Sequence, residues 1–97
     1  MISVTIVATA HAGKGEELAA AWNHCAKLAL THDPGCKTFH VSRSRDNPDQ
    51  VLVFEIYGSK EEFEAHSTSE LAKELLPTLI PLVSGEPRIY VADLLTG

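Results

Sequence analysis

From Val51 to Tyr57 the chain alternates with a period of two, and the two sets of residues differ in chemistry. Leu52, Phe54 and Ile56 are wholly apolar, whereas Val53, Glu55 and Tyr57 add a carboxylate and a phenol to an apolar face. Burying a polar group without a partner is costly, so a strand face of this mixed kind suits the lining of a cavity. Gly58 ends the strand, Ser59 caps a helix with Glu62 three residues on, and Phe63 and His66 then fall on one helical face. This strand-to-helix junction is where a pocket is expected.

The rest of the chain reads as βαββαβ, without linker, repeat or low-complexity tract. Ile2, Val4, Ile6 and Ala8 alternate with Ser3, Thr5, Val7 and Thr9, giving a first strand that belongs inside a sheet. Gly13-Lys14-Gly15 is a turn. After it, Leu18, Ala21, Trp22, Cys25, Leu28 and Ala29 repeat at three and four residues, with Glu16 and Glu17 where a helix N-terminus favours negative charge. Pro34 disfavours helical geometry at Asp33, so this helix stops near His32 and Gly35 turns the chain into the next strand. From Cys36 to Arg45, Phe39, Val41 and Arg43 alternate against Cys36, Thr38, His40 and Ser42, and the polar turn Asp46-Asn47-Pro48-Asp49 closes a hairpin with the strand at Val51. A second S-x-x-E box, Ser67 to Glu70, restarts a helix carrying Leu71, Leu75 and Leu76 until Pro77 and Pro81 limit it. Arg88 to Ala92 is a final short strand, whose tail Asp93 to Gly97 is free to cross to a partner. Right-handed crossovers place the helices on one side of a four-stranded antiparallel sheet, an α+β arrangement of ferredoxin-like type within a single domain spanning 1–97. The sheet's other face is too apolar for water, and packing it against a second copy would bury it.

Composition narrows the function. Ninety-seven residues, 44% hydrophobic and 22% charged, describe one globular domain. A net charge of −5 with eight scattered Lys and Arg gives no footprint for nucleic acid. No apolar run reaches the roughly 20 residues needed to cross a bilayer, and the N-terminus reads as a strand, so a cytosolic location without membrane association is the simplest expectation. Cys25 and Cys36 lack C-x-x-C spacing and are read as structural thiols. His11, His24, His32, His40 and His66 form no H-x-x-x-H pair, so no metal site is expected. No P-loop or nucleophile elbow is present.

The order strand, E-x-(aromatic)-x-S at Glu55 to Ser59, helix, then E-A-H-x-x-S at Glu64 to Ser69 resembles the antibiotic biosynthesis monooxygenase domain family and its quinol monooxygenase-like members. The Gly13-Lys14-Gly15 helix start with Leu18 and Ala21, and the D-P-G-C turn at Asp33 to Cys36, extend the resemblance over nearly the whole chain. It implies a homodimeric α/β barrel built from two ferredoxin-like sheets, and a monooxygenase without cofactor that acts with O2 on an electron-rich aromatic such as a quinol or anthrone-like phenol. Histidine has an ordinary pKa of about 6.5, suited to deprotonating such a hydroxyl, and the resemblance makes His66 a pocket residue. His66 could otherwise cap a helix C-terminus, and Glu55 could be an ion-pair carboxylate.

The candidate site is therefore His66 and Glu55 as catalytic groups, with Tyr57, Trp22, Phe39, His40 and Phe63 against the substrate. Tyr57 stands where many relatives carry tryptophan, Leu71 where many carry a second histidine, and the first strand lacks the asparagine found in relatives that act on haem or polyketides. Two other readings fit the same pocket: an isomerase or lyase using the base on an activated carbonyl compound, and a non-catalytic dimer that binds a small hydrophobic ligand.

Overall fold

Gly13 adopts φ +80°, which glycine alone takes without strain, and lets the chain leave the first strand and enter the first helix within five residues. The turn is held from outside: Gly13 and Gly15 N–H donate to the two carboxylate oxygens of Asp49, at 3.2 and 3.0 Å. A Cβ on Gly15 would overlap the Pro48 carbonyl oxygen and crowd the Asp49 Cα. Gly15→Ala is expected to cost about 1–3 kcal/mol, because the obstacle is backbone that cannot swing aside; a urea midpoint unchanged from the native chain would contradict this.

The computed structural model describes residues 1–96. Its elements are β1 (Ile2–Thr9), α1 (Gly15–His32), β2 (Cys36–Arg43), β3 (Gln50–Tyr57), α2 (Lys60–Ser67), α3 (Glu70–Leu79), a 3-10 turn at Ile80–Leu82, and β4 (Arg88–Asp93). The four strands form one antiparallel sheet in the order β2-β3-β1-β4, the ferredoxin-like α+β fold. The sheet is open, with β2 and β4 as its edges, and does not close into a barrel within one chain. No described helix is long and apolar enough to cross a membrane. Gly97, the end of the tail expected to cross to a partner, lies outside the described residues; Leu94 N–H is tied back to the Met1 carbonyl, and Leu95 is exposed.

Strand register fixes which side chains face the helices. Phe39, Glu55, Val4 and Val91 form one row across the sheet, and Val41, Val53, Ile6 and Ile89 the next. Leu18, Trp22, Cys25, Ala26 and Ala29 of α1 pack on this inner face around Val4, Ala8, Val51 and Val53. The carboxylate and phenol of β3 thus point under the helices. The wholly apolar set Leu52, Phe54 and Ile56 points away, in rows with Ser42 and Val7, with His40, Thr5 and Tyr90, and with Thr38, Ser3 and Ala92.

Three local readings are corrected. The helix after His66 is capped by Ser69, whose Oγ accepts from Ala72 N–H, while Ser67 still belongs to α2 and donates to the Phe63 carbonyl. α3 also runs past Pro77 to Leu79, since a proline removes one helical N–H without stopping a chain already turned by a well-capped N-terminus. In β2 the register shifts between Cys36 and Thr38; this one-residue bulge brings Cys36 opposite Tyr57, on the inner face with Phe39, although strict alternation puts it on the other.

Candidate functional site

Asp33 ends α1 and does two things with its carboxylate. Oδ1 accepts from Gly35 N–H at 3.1 Å, forming the turn that the following Pro34-Gly35 requires. Oδ2 lies 2.7 Å from Nδ1 of His66, a residue of α2 that comes 33 positions later in the chain. The two meet because β2 and β3 are antiparallel neighbours: Cys36 pairs with Tyr57, so the start of β2 and the end of β3 share one end of the sheet. A carboxylate only accepts hydrogen bonds, so Nδ1 carries the hydrogen and the neutral ring keeps a free lone pair on Nε2. Main-chain contacts hold the same residue, as the His66 carbonyl accepts from Ser69 Oγ at 2.8 Å. Behind the imidazole lies the Tyr57 ring, at a centroid distance of 5.0 Å and tilted by 41°.

Nε2 faces Glu55, whose Oε1 lies 3.8 Å away. That is too long for a direct hydrogen bond, yet short enough for a hydroxyl group beside them to reach both. Glu55 is 4% exposed and accepts a hydrogen bond from the Tyr57 hydroxyl. Burial pushes the Glu55 carboxyl up, partly offset by the Tyr57 hydrogen bond and by His66. The Tyr57 phenol is driven far above its ordinary range by burial and by Glu55 beside it, so it stays protonated as a donor. Because the folded-state pKa of Glu55 is raised above its unfolded value, the native protein binds that proton more tightly. Its contribution to stability is fully present below the unfolded pKa and is lost as pH rises through the folded one. Glu55→Gln is therefore expected to gain melting temperature relative to the native chain as pH is raised from about 4.5 towards neutrality; a difference constant with pH would refute this.

These polar groups form one end of a cavity of about 280 Å³. Its floor is Val4 and Ile6 of β1, Phe39 of β2 and Ile89 of β4. Trp22, Cys25 and Ala29 of α1 make one wall and Phe63 of α2 another. The last wall is α3, through Leu71, Ala72, Leu75, Leu76 and Leu79. Apart from Glu55, His66 and Ser67, every lining residue is apolar or a cysteine. Such a volume suits a small ligand, at the lower end of the range for small-molecule pockets.

Of the residues singled out in the sequence, His66, Glu55, Trp22, Phe39 and Phe63 converge on this cavity, and Tyr57 supports Glu55 from beneath without lining it. His40 does not join them. It sits opposite Phe54 on the outer face, exposed, because alternation along β2 carries it away from Phe39. Asp33 and the α3 leucines were not anticipated as parts of a site. Asp33 was visible only as a turn residue, although the topology placing the D-P-G turn beside the strand-to-helix junction was the available signal. Cys25 and Cys36 are free, buried and protonated at neutral pH, their thiols held up chiefly by burial, Cys36 to about 11. Among the described residues no group of three or more His, Cys, Asp or Glu side chains could hold a metal ion.

The model of one protein family, Antibiotic biosynthesis monooxygenase, matches residues 1–77. The chain belongs to the antibiotic biosynthesis monooxygenase family. A Nitrosomonas europaea protein named for the same family superposes with a TM-score of 0.89 over 99% of this chain and 100% of its own, at 18% identity. A Caulobacter crescentus CB15 protein named likewise gives 0.89 over 98% and 90%, at 22% identity. A conserved protein from Methanosarcina mazei Go1 gives 0.84 over 94% and 89%, at 21%. At such identities the structural likeness speaks to the fold. No curated protein matches the chain. Within the antibiotic biosynthesis monooxygenase fold, the cavity described above lies between the sheet and the helices, with β3 supplying its carboxyl group and α2 its imidazole.

Proposed function

We propose that the protein is a cofactor-independent monooxygenase that takes a small electron-rich aromatic, a quinol or anthrone-like phenol, into this cavity. The observation that carries the reading is an imidazole whose Nδ1 is committed to Asp33 and whose Nε2 is free at the polar end of an otherwise apolar chamber. A hydroxyl placed there meets His66 Nε2 as its base and Glu55 as a hydrogen-bonding partner, while Trp22, Phe39 and Phe63 pack the ring. Deprotonation makes the substrate electron-rich enough to reduce dioxygen. The substrate then supplies both electrons: a quinol and O2 give a hydroxylated quinone and water. The protein contributes proton removal, orientation and exclusion of water.

The working unit in this reading is a homodimer. Leu52, Phe54, Ile56 and Val7 form an apolar strip on the uncovered sheet face, with Phe54 37% and Tyr90 53% exposed, and a second copy related by a two-fold axis would bury it. The test of function is oxygen uptake by the purified, metal-free protein against hydroquinones and anthrones. Uptake above autoxidation that yields, per O2, one hydroxyquinone from a hydroquinone or one quinone from an anthrone, with water, is the expected result. Uptake no faster than autoxidation across the panel would sink the proposal.

A further inference from the structure

The oxygenase reading leaves one step without an acid. Addition of dioxygen to the deprotonated substrate gives a carbon-bound hydroperoxide, and its conversion to product breaks the O–O bond: the carbon loses its C–H proton, C=O forms, and hydroxide departs as water. One group must take a proton and another must give one. We propose that Glu55 is the general acid of this dehydration, giving its proton to the departing hydroxide while His66 Nε2 takes the proton from carbon. This assignment rests on the reading above and extends it.

The geometry divides the two roles. His66 is aimed by Asp33 so that, in the neutral ring, the hydrogen sits on Nδ1 and the cavity-facing nitrogen is the one that can accept. Glu55 lines the same cavity 3.8 Å away. Its Oε1 accepts from the Tyr57 hydroxyl, which leaves Oε2 as the oxygen to carry a proton. The groups surrounding it are Tyr57 of β3, Cys36 of β2, Cys25 of α1, Asp33 at the α1 terminus and His66 of α2. Of these, Tyr57 and the two cysteines stay protonated, Asp33 adds negative charge, and His66 alone can add positive charge. Burial holds the carboxyl in its protonated form more firmly than water would. The cycle also closes: after dehydration an imidazolium faces a carboxylate across 3.8 Å, and passing that proton back restores both groups. Neighbouring ionisable groups kept in opposite protonation states are the arrangement that paired acid and base catalysis needs.

Glu55→Gln keeps the shape and the acceptor for Tyr57 while removing the acid. In this variant, substrate should still quench the fluorescence of Trp22, the sole tryptophan and a cavity residue. For each O2 the variant consumes, organic hydroperoxide plus hydrogen peroxide should rise about tenfold or more relative to oxygenated product. A second measurement needs no dioxygen. Wild-type protein given tetralin hydroperoxide under argon should form tetralone and water, about 10²-fold faster than Glu55→Gln. The role of Glu55 is overturned if the wild type does not speed this dehydration, if the variant does so equally well, or if uptake and product fall together in the variant with no peroxide. Each of those results leaves wild-type oxygen uptake intact, whereas absence of that uptake overturns the oxygenase reading itself.

Discussion

His66→Ala is expected to remain folded and to lose about 10²–10⁴-fold in oxygen-consuming turnover, the usual contribution of a positioned general base. The loss should be confined to chemistry. The variant surrenders a hydrogen bond to a charged partner, worth about 1.5–3 kcal/mol, but Asp33 keeps its turn-forming bond to Gly35, so the helix end and hairpin persist. Quenching of Trp22 by substrate should be little changed. Added imidazole should restore part of the activity, because the truncated side chain leaves space at the polar end of the cavity. A folded His66→Ala protein that retains wild-type turnover would remove the histidine from the mechanism. Asp33→Asn should fall short of the same loss, since an amide can still contact Nδ1 yet can also donate to it and so favour the wrong tautomer.

The second large effect is on assembly. Phe54 lies in the middle of the uncovered face, flanked by Thr5 and His40 in its row, and Phe54→Asp would place a carboxylate there. Two-fold symmetry doubles the damage, because each variant chain brings its own charge to the same interface. Leaving a buried carboxylate unpaired costs about 3–5 kcal/mol, so two such charges are enough to convert a micromolar dimer to a monomer at ordinary working concentrations. Light scattering should give the mass of one chain for Phe54→Asp and twice that for the native protein. A native protein with the mass of one chain would remove this face as an interface. The same substitution leaves the inner face untouched, so a folded monomer would also show whether the cavity needs the second copy.

Much of the fold was legible because it depends on local rules. The turn at Gly13, the end of α1 before Pro34, the Ser59 cap and the polar hairpin turn at Asp46 to Asp49 all follow from backbone chemistry within a few residues. Where these rules competed, the reading slipped. Ser67 and Ser69 each look like a cap, and only the extent of α2 decides between them. The bulge near Cys36 inserts one residue into a period-two count, which sequence alternation cannot register.

The site was legible in part for a related reason. Glu55 and Tyr57 announce themselves by interrupting an apolar face, and His66 by the motif around it. Asp33 does not, because its second role exists only once two strands have paired. The α3 leucines show an apolar face in sequence, but periodicity cannot tell a face that fills a core from one that borders empty space. His40 carried the same chemistry as His66 and differed only in which side of the sheet it met.

The double use of the Asp33 carboxylate ties shape to readiness. The oxygen that shapes the reversal after α1 and the oxygen that aims the imidazole belong to one rigid group, so a chain that has made its turn has already set the direction of Nε2. In the proposed reaction, a substrate hydroxyl would then meet an imidazole whose ordering entropy was settled during folding. The same economy has a cost for sequence change: apart from asparagine, which keeps an oxygen for Gly35 N–H, a substitution at Asp33 that retunes the histidine also disturbs the corner of the fold on which it stands.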